Sequence, residues 1–458
     1  MSLKVKEHII YFLGIGGIGM SALARYFIAK GYQVHGYDRT CTPLTESLEQ
    51  EGMHIHYTED ISLIPAETGL VIYTPAIPRS NTEFEYLVKS GVRMMKRAEV
   101  LGMLSSEYKT IACAGTHGKT TTSTLVAYLL QQSQLGCQAF LGGISRNFET
   151  NLLISDTSPF LVAEADEYDR SFLHLHPYIA IITSIDSDHL DIYHTHAEIR
   201  EAFSSFTCNI VTGGYLILKK GIELPAQLPV DCTVYSYAVN DVADFSVTNL
   251  RLENGLYQFE FTYPSGKIDN LTLGIPGLYN VENAVAALAA AIIAGATPEE
   301  LSKALGSFKG VKRRFDIRLN TGDLVYIDDY AHHPEELNAC IRSARAMFPG
   351  RKITGIFQPH LYSRTRDFAV EFAMSLSALD EVLLLPVYPA RELPMPGVDS
   401  QMLLSLMDHP DKHLLQKEDI PGYFTGNTPE ILITMGAGDI DTLVGPIENY
   451  FRTKTTEL

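Results

Sequence analysis

The chain has 458 residues, of which 46 % are hydrophobic and 20 % charged, and its formal net charge is −18. This length predicts roughly two or three domains, and the acidic balance argues against a nucleic-acid-binding protein, whose phosphate contacts need a basic face. The six cysteines include no C-x-x-C pair, which argues against a disulfide scaffold or a zinc site and favours the reducing cytoplasm. The longest apolar run, residues 284–294, is shorter than a membrane span, so no membrane insertion is expected.

The first predicted elements form the start of a nucleotide-binding fold. A strand over residues 8–13 and a helix over 20–30 enclose a G-x-G-x-x-G turn, and strands over 33–37, 70–73 and 92–95 complete a sheet. Such a turn predicts a diphosphate site, for a dinucleotide or a nucleotide sugar. Ser21 and Asp38 are candidate phosphate and ribose contacts, although Asp38 fits a capping carboxylate equally well.

A second glycine turn, Gly115 to Thr122, stands between a predicted strand over 110–113 and an apolar helix that contains residues 125–130. Backbone N–H groups and Lys119 in such a turn bind phosphate oxygens, and the Thr120 hydroxyl is a candidate ligand of Mg²⁺. The general P-loop pattern places a glycine where Cys113 stands, so an ordinary strand-to-helix turn remains the alternative.

Acidic segments follow the next two predicted strands. Four carboxylates lie within residues 164–169, at the end of a strand over 160–164, which favours a Mg²⁺ site over a solvated acidic loop. His189 stands among acids after a strand over 179–184, and fits a metal ligand, a proton shuttle or a surface turn. Aromatic residues that partly alternate with polar ones over 231–275 predict antiparallel strands or hairpins, and a helix follows over 281–294.

The last part of the chain is again an alternation of strands and helices. Strands are predicted over 324–328, 353–357, 381–385 and 431–435, which indicates a parallel sheet. Polar runs over 328–334 and 358–367 follow two of them, and their histidines and arginines favour a site for an anionic substrate. Any single arginine there fits a surface salt bridge as well.

Taken together and in this order, eight runs of the sequence are similar to those of the Mur ligases: GIGGIGMS, AGTHGKTTT, EADEYDRSF, DSDHLD, GLYNVENA, KRRFD, DDYAHHP and QPHLYSRTRD. The resemblance covers residues 8–440. It implies an α/β protein of three domains: a Rossmann-like domain for a UDP-sugar over 1–107, a central P-loop ATP-binding domain over 108–312, and a Rossmann-like amino-acid-binding domain over 313–458.

The resemblance also implies an ATP-dependent ligase of cytoplasmic peptidoglycan-precursor synthesis. The carboxylate of UDP-N-acetylmuramate attacks the γ-phosphate of ATP to give an acyl phosphate, and the amine of L-alanine then displaces phosphate. Neutralising charge between two anions is a task for Lys119 and Mg²⁺. We expect a monomer or a weak homodimer.

Roles are carried over from the family by motif. Catalytic roles fall to Lys119, His189, His332 and Arg364, and metal binding to Thr120, Glu164 and His189. The ATP contacts are Gly115, Thr116, His117, Gly118, Lys119, Thr120, Thr121 and Asn283, with Arg313 or Arg314 and Asp328 or Asp329. The amino-acid contacts are Tyr330, His332, His360 and Arg364. The UDP-sugar contacts are Gly14, Gly16, Gly17, Ile18, Gly19, Ser21, Asp38, Thr74, Pro75 and Ala76.

Three departures from the family pattern bear on these roles. Tyr279 stands where many relatives have His, and Leu361 where they often carry Arg. No Lys occurs between Asp191 and Leu218, where several Mur ligases use a carbamylated Lys, which agrees with the alanine-adding branch. The alternatives are a recycling ligase that attaches a ready-made tripeptide, a nicotinamide-dependent dehydrogenase built on the first glycine turn, and a non-catalytic nucleotide sensor.

Overall fold

The computed structural model describes residues 8–186, 193, 195–224, 227–390, 392–426 and 428–456. It is a mixed α/β protein with three sheets, of five, ten and six strands. Two compact units are defined by residue contacts. The first comprises Met1–Arg251, Gln258–Gly274 and Val281–Lys309, and the second comprises Leu252–Tyr257, Ile275–Asn280 and Gly310–Leu458. The first two sheets belong to the first unit apart from a few strand-end residues, and the third sheet belongs to the second unit.

The N-terminal sheet is parallel, with the strand order β3-β2-β1-β4-β5. The strands are added to one side of β1 as far as β3 and to its other side from β4 onward, so the switch point of the strand order lies between β1 and β4. Ligands of open α/β sheets bind at the carboxyl ends of the strands at such a point. The strands are β1 (Ile9–Leu13), β2 (Gln33–Tyr37), β3 (His54–His56), β4 (Thr68–Tyr73) and β5 (Met94–Lys96). The helices are α1 (Ile18–Ala29), α2 (Pro43–Gln50), α3 (Thr82–Ser90) and α4 (Arg97–Ser105), with a 3-10 turn at Ile61–Leu63.

The central sheet has the order β15-β14-β13-β12-β11-β10-β6-β9-β7-β8, so β6 lies between β9 and β10. The strands are β6 (Lys109–Ala114), β7 (Gln138–Phe140), β8 (Leu152–Leu153), β9 (Phe160–Glu164), β10 (Pro177–Ile182), β11 (Tyr215–Lys219), β12 (Thr233–Val239), β13 (Phe245–Glu253), β14 (Leu256–Tyr263) and β15 (Gly266–Thr272). The helices are α5 (Lys119–Gln131), α6 (His196–Cys208), α7 (Leu278–Ala294) and α8 (Pro298–Leu305), with a 3-10 segment at Tyr168–His174.

The third sheet has the order β16-β17-β21-β18-β19-β20, with β16 antiparallel to β17 and the other pairs parallel. The strands are β16 (Asp316–Asn320), β17 (Val325–Asp329), β18 (Ile353–Phe357), β19 (Glu381–Leu384), β20 (Lys412–Leu414) and β21 (Ile431–Met435). The helices are α9 (Pro334–Met347), α10 (Tyr362–Asp367), α11 (Ala369–Leu376), α12 (Ser400–Leu406), α13 (Ile420–Tyr423) and α14 (Val444–Thr456), with 3-10 turns at Lys417–Asp419 and Asp439–Leu443.

Solid apolar runs in the sequence become the buried central strands. Every residue of β17, β18 and β21 is buried, as expected for parallel strands covered by helices on both faces. Among the helices that the structure describes, none combines the length and the apolar character that a membrane crossing would require.

The prediction of antiparallel strands over 231–275 is only partly correct. β14 and β15 pair antiparallel, but β12 pairs parallel with both β11 and β13. Alternation of apolar and polar residues indicates a half-buried face and carries no information on the direction of the neighbouring strand. Several elements also escaped the sequence analysis, among them β3, β7, β8 and the helices α2, α3 and α4.

Candidate functional site

The glycine turn after β6 has the backbone of a phosphate-binding loop. Gly115 has a φ of +135° and Gly118 a φ of +84°, conformations that L side chains rarely adopt, and Gly118 directly precedes α5. Cys113, which occupies the position of the general pattern's first glycine, is a buried residue of β6. Because that residue is extended backbone in a strand, no glycine is needed there, and the turn begins at Gly115.

The end of β10 holds this turn in place. The Thr116 amide donates to the Ser184 carbonyl at 3.2 Å, and the His117 amide donates to Ser184 Oγ at 2.8 Å. The Thr183 hydroxyl donates to the carbonyl oxygens of Ala114 and His117. These bonds join the turn to the neighbouring parallel strand, so its amide groups are preorganised for a ligand.

Lys119, the first residue of α5, folds back over the turn. Its ammonium donates to the Gly115 carbonyl at 2.7 Å and contacts the Glu167 carboxylate, with Oε2 at 2.8 Å and Oε1 at 2.9 Å. Burial alone would lower the pKa of Lys119, but the carboxylates of Glu167, Asp166 and Glu164 outweigh it and raise the pKa. The ion pair with Glu167 therefore favours the charged form of Lys119 beside this glycine turn.

The segment after β9 brings the predicted carboxylates to this edge of the sheet. Glu164 is the last residue of β9, and Gly142 has no side chain where the Glu164 carboxylate lies. Asp169 and Arg170 both have positive φ values, of 53° and 55°, a strained pair of turns in a segment of non-glycine residues. Glu167, two residues before this pair, is 1 % exposed.

Of the predicted metal ligands, the structure places Thr120 in the first turn of α5 and Glu164 at the adjacent strand end. His189 lies outside the described residues, so its predicted role as a ligand and catalytic residue stays a prediction. Glu167 is a residue that the sequence analysis did not single out. The signal was present, because Glu167 belongs to the acidic run after β9, but the run alone does not say which of its carboxylates faces the lysine.

Asn283 of α7 reaches the same turn. The Thr122 hydroxyl donates to Asn283 Oδ1 at 3.3 Å, and a Cβ on Gly118 would lie 2.5 Å from that oxygen. The structure thus brings together the turn residues Gly115, Thr116, His117, Gly118, Lys119, Thr120 and Thr121 with Asn283, all of which were predicted to contact ATP.

The glycine turn of the N-terminal sheet follows β1, at the switch point of the strand order. Gly14, with a φ of +84°, packs against Thr74 at the end of β4, since a Cβ on Gly14 would lie 2.6 Å from Thr74 Cγ2. The Gly16 amide donates to Asp38 Oδ2 at 2.8 Å, and Asp38 Oδ1 accepts from the Thr40 amide at 3.2 Å. Asp38 therefore caps the turn, which was the alternative left open for it. Its ribose contact stays a prediction.

Ser21 is fully buried and serves the packing of α1. Its hydroxyl donates to the Ile18 carbonyl at 2.9 Å and accepts from Asn151 Nδ2 at 3.0 Å, while Asn151 Oδ1 accepts from Arg25 at 2.6 Å. We therefore assign Ser21 to the support of the turn, and the phosphate contact suggested for it stays a prediction. Of the other predicted UDP-sugar contacts, Gly17 and Ile18 are exposed at the start of α1, and Pro75 and Ala76 follow Thr74 in the turn after β4.

In the second unit, the two aspartates that end β17 hold the backbone around them. Asp329 accepts from the amides of Phe315 at 2.6 Å and Ala331 at 2.7 Å. Asp328 Oδ1 accepts from Thr434 at 2.9 Å, and Asp328 Oδ2 lies 3.6 Å from Arg313 Nε. Both carboxylates are buried, and these bonds give them a structural role. Their contact with ATP stays a prediction.

Arg313 and Arg314 enclose the Tyr330 ring. Their guanidinium carbons lie 5.1 Å and 5.0 Å from its centroid, and Arg313 also donates to the Gly436 carbonyl at 2.6 Å. Tyr279 belongs to the same cluster, because Asp329 and Arg314 both influence the pKa of its hydroxyl, which burial raises.

Two histidines of the second unit, His332 and His360, lie beside this cluster. His332 Nδ1 donates to the Tyr330 carbonyl at 2.9 Å and lies 3.2 Å from Glu336 Oε2, and its ring is 6.0 Å from that of His360. The buried Arg364 lies close enough to lower the pKa of Tyr330, which burial raises. The structure thus brings together all four predicted amino-acid contacts. Glu336 was missed because it stands in a helix with no motif of its own.

Leu361 directly precedes the helix that carries Arg364. It is buried and has a φ of +69°, a conformation that is strained for leucine. Strained backbone of this kind is typical of functional sites.

Burial raises the pKa of Asp329 from 3.8 to about 7, against the opposing effects of Arg314 and the two amides. Between these values the folded chain keeps a proton that the unfolded chain has lost, so stability falls as the pH rises through this window. By linkage this loss is on the order of 2–4 kcal/mol. We expect the fall in unfolding free energy from pH 4.5 to pH 7.5, measured by urea titration, to be smaller in Asp329→Asn. Asp323→Asn, at an exposed position of the same unit, should keep the wild-type fall; an equal fall in all three proteins would contradict the assignment.

The comparison with known families defines the class of protein. Three profiles match the chain: "Mur ligase family, catalytic domain" over residues 9–109, "Mur ligase middle domain" over 113–291, and "Mur ligase, glutamate ligase domain" over 313–421. The chain belongs to the Mur ligase family. The sequence-based resemblance to this family is confirmed.

Individual relatives agree along the whole length. The UDP-N-acetylmuramate–L-alanine ligase of Porphyromonas gingivalis is 51 % identical over 97 % of this chain and 99 % of its own, and that of Flavobacterium johnsoniae is 46 % identical over 98 % of both. The crystal structure of the UDP-N-acetylmuramate–alanine ligase from Thermotoga maritima superposes with a TM-score of 0.83 at 27 % identity, over 97 % of this chain and 99 % of that one. A murein peptide ligase from Psychrobacter arcticus shares the fold, with a TM-score of 0.70 at 23 % identity over 98 % of both chains.

Proposed function

We propose that this enzyme joins L-alanine to the carboxylate of UDP-N-acetylmuramate, with conversion of ATP to ADP and phosphate, in cytoplasmic peptidoglycan-precursor synthesis. The observation that carries the proposal is the similarity, at about half identity and over nearly the full length, to ligases named for this reaction. The phosphate-binding turn with Lys119 supports the use of ATP. Neither the dehydrogenase nor the nucleotide sensor accounts for membership in a ligase family.

The first chemical step places two anions together. A carboxylate oxygen of the sugar nucleotide bonds to the γ-phosphorus of ATP as the bond to the β-phosphate oxygen breaks, and ADP leaves. Lys119 is suited to this step because its charge is fixed by neighbouring carboxylates and its turn is preorganised. The amides of the turn and Asn283 would hold the nucleotide.

Mg²⁺ fits the donor set at this edge of the sheet. Thr120 offers a hydroxyl and Glu164 a carboxylate, both oxygen ligands of the kind that Mg²⁺ prefers. When bound, the ion supplies positive charge to the phosphate oxygens.

The second step forms the amide bond. The alanine nitrogen attacks the acyl carbon, phosphate leaves, and the amine gives up a proton. Donation from His332 Nδ1 to the Tyr330 carbonyl leaves the imidazole lone pair on Nε2, which suits this histidine to accept a proton. Arg364 and His360 would bind the alanine carboxylate.

A three-domain division over 1–107, 108–312 and 313–458 is part of this proposal. It is supported by the three profile matches: the first ends at residue 109, two residues past the first boundary, and the second boundary lies between residue 291, where the second match ends, and residue 313, where the third begins. A monomer or weak homodimer remains our expectation for the oligomeric state.

Phosphate release with two amino substrates tests the proposed function directly. With ATP, Mg²⁺ and UDP-N-acetylmuramate present, L-alanine should support turnover, and the tripeptide of the recycling reaction should support little. Omission of the sugar nucleotide is the control, since hydrolysis of ATP without it is not ligation. Turnover with the tripeptide alone would favour the recycling ligase over our proposal.

A further inference from the structure

Arg97 lies directly over the glycine turn of the N-terminal sheet. It is the first residue of α4, far along the chain from that turn, and follows the edge strand β5. A Cβ on Gly19 would lie 2.7 Å from Arg97 Nη1 and 3.1 Å from its Cδ. The absence of a side chain at Gly19 is thus what allows the guanidinium to approach the turn.

The Arg97 guanidinium has few partners for its degree of burial. Its side chain is 22 % exposed, and its nearest carboxylate oxygen, Asp166 Oδ2, is 3.9 Å from Nη2. Within the described part of the chain it makes no hydrogen bond, although a guanidinium carries five N–H donors. The nearby Arg25 is a contrast, because its nitrogens donate to Glu51, Ser47 and Asn151.

The surroundings of Arg97 favour an anion. α1 starts at Ile18 without a side-chain cap, and Gly17 and Ile18 are exposed, so its first amides are open to a ligand. Arg97 itself occupies the first turn of α4, where the helix dipole disfavours a cation. Its neighbour Lys96 is engaged, with Nζ 3.0 Å from Asp169 Oδ2.

We propose that Arg97 binds the diphosphate of the sugar nucleotide at the glycine turn. This inference rests on the proposed function, and it adds a binding residue that no motif contains. A planar guanidinium suits the recognition of phosphate oxygens, and the long contact with Asp166 gives way to short charge-assisted bonds when the diphosphate is present.

Truncation of the ligand separates the diphosphate from the rest of the nucleotide. Binding of UDP-N-acetylmuramate and of uridine is measured by calorimetry on the full chain, with a non-hydrolysable ATP analogue occupying the P-loop. Arg97→Ala should weaken the binding of UDP-N-acetylmuramate about 10- to 100-fold and leave the affinity for uridine unchanged. Arg97→Lys keeps the charge without the planar guanidinium, and its affinity for UDP-N-acetylmuramate should lie between those of the wild type and Arg97→Ala. Arg93→Ala, an exposed arginine four residues earlier, is the matched control and should bind both ligands as the wild type does.

The outcomes are distinct. Unchanged affinity of Arg97→Ala for UDP-N-acetylmuramate overturns the inference alone. If Arg97→Ala weakens the binding of both ligands equally, Arg97 supports the fold or contacts the nucleoside, and the inference is overturned as well. If the wild type binds no UDP-N-acetylmuramate at all, the proposed function fails and takes this inference with it.

Discussion

Replacement of Lys119 by alanine is expected to remove almost all turnover. The ammonium lies over the phosphate-binding turn, within 2.7 Å of the Gly115 carbonyl, and the surrounding carboxylates keep it charged. Loss of a preorganised charge where negative charge develops costs about 4 kcal/mol of transition-state stabilisation, or roughly 10³-fold in kcat. Phosphate release at saturating ATP, sugar nucleotide and L-alanine measures this loss.

Two further variants separate this chemical role from a structural one. Lys119→Met keeps most of the side-chain volume and should be as inactive as the alanine variant. Lys109→Ala removes an exposed lysine at the opposite end of β6 and should turn over normally. A Lys119→Met enzyme within tenfold of the wild-type kcat would refute the assignment of Lys119.

The position of the P-loop could be predicted because its cause is local. Positive φ angles at Gly115 and Gly118 demand glycine whatever the rest of the chain does, so the motif and the strand before it were sufficient. The apparent defect at Cys113 disappears for the same reason, since strand residues have no such demand. The first glycine turn and Asp38 could be predicted from the sequence in the same way.

The choice among charged residues at a strand end could not be predicted. The sequence located the acidic run at the carboxyl edge of β9, but the buried partner of Lys119 is Glu167, and two positive φ values just beyond it shape that segment. The aspartates of β17 show the opposite case. They are predicted contacts of ATP, and their bonds to Phe315, Ala331 and Thr434 add a structural role that the motif did not indicate.

Contacts between segments that are distant in the sequence could not be predicted either. Arg97 meets Gly19, and Asn151 meets Ser21, only because the chain folds them together, and no spacing in the sequence encodes either pair. Gly19 and Ser21 belong to a motif of the sequence analysis, whereas Arg97 and Asn151 belong to none. Motifs therefore located the candidate sites, and the fold was needed to identify the side chains that support them.

Glu167 follows from this argument as the second position with a large expected effect. Its carboxylate is 1 % exposed and contacts the Lys119 ammonium at 2.8 Å, so its loss leaves a buried cation with weaker compensation. Removing one partner of a buried ion pair typically costs about 3 kcal/mol or more. We expect Glu167→Ala to lower the unfolding free energy by about 3 kcal/mol, and Glu167→Gln, which keeps the shape, to lower it less.

Turnover should fall together with stability, because loss of the Glu167 carboxylate removes the strongest of the three charges that oppose the lowering of the Lys119 pKa by burial. Urea unfolding of the ligand-free enzyme and phosphate release by the folded enzyme measure the two effects separately. The double variant Lys119→Met/Glu167→Gln removes both charges and should be more stable than Glu167→Ala, since a neutral pair of similar shape has no charge to desolvate. Glu107→Gln, at an exposed site, is the matched control. Wild-type stability and turnover in Glu167→Ala would show that the ion pair supports neither the fold nor the lysine.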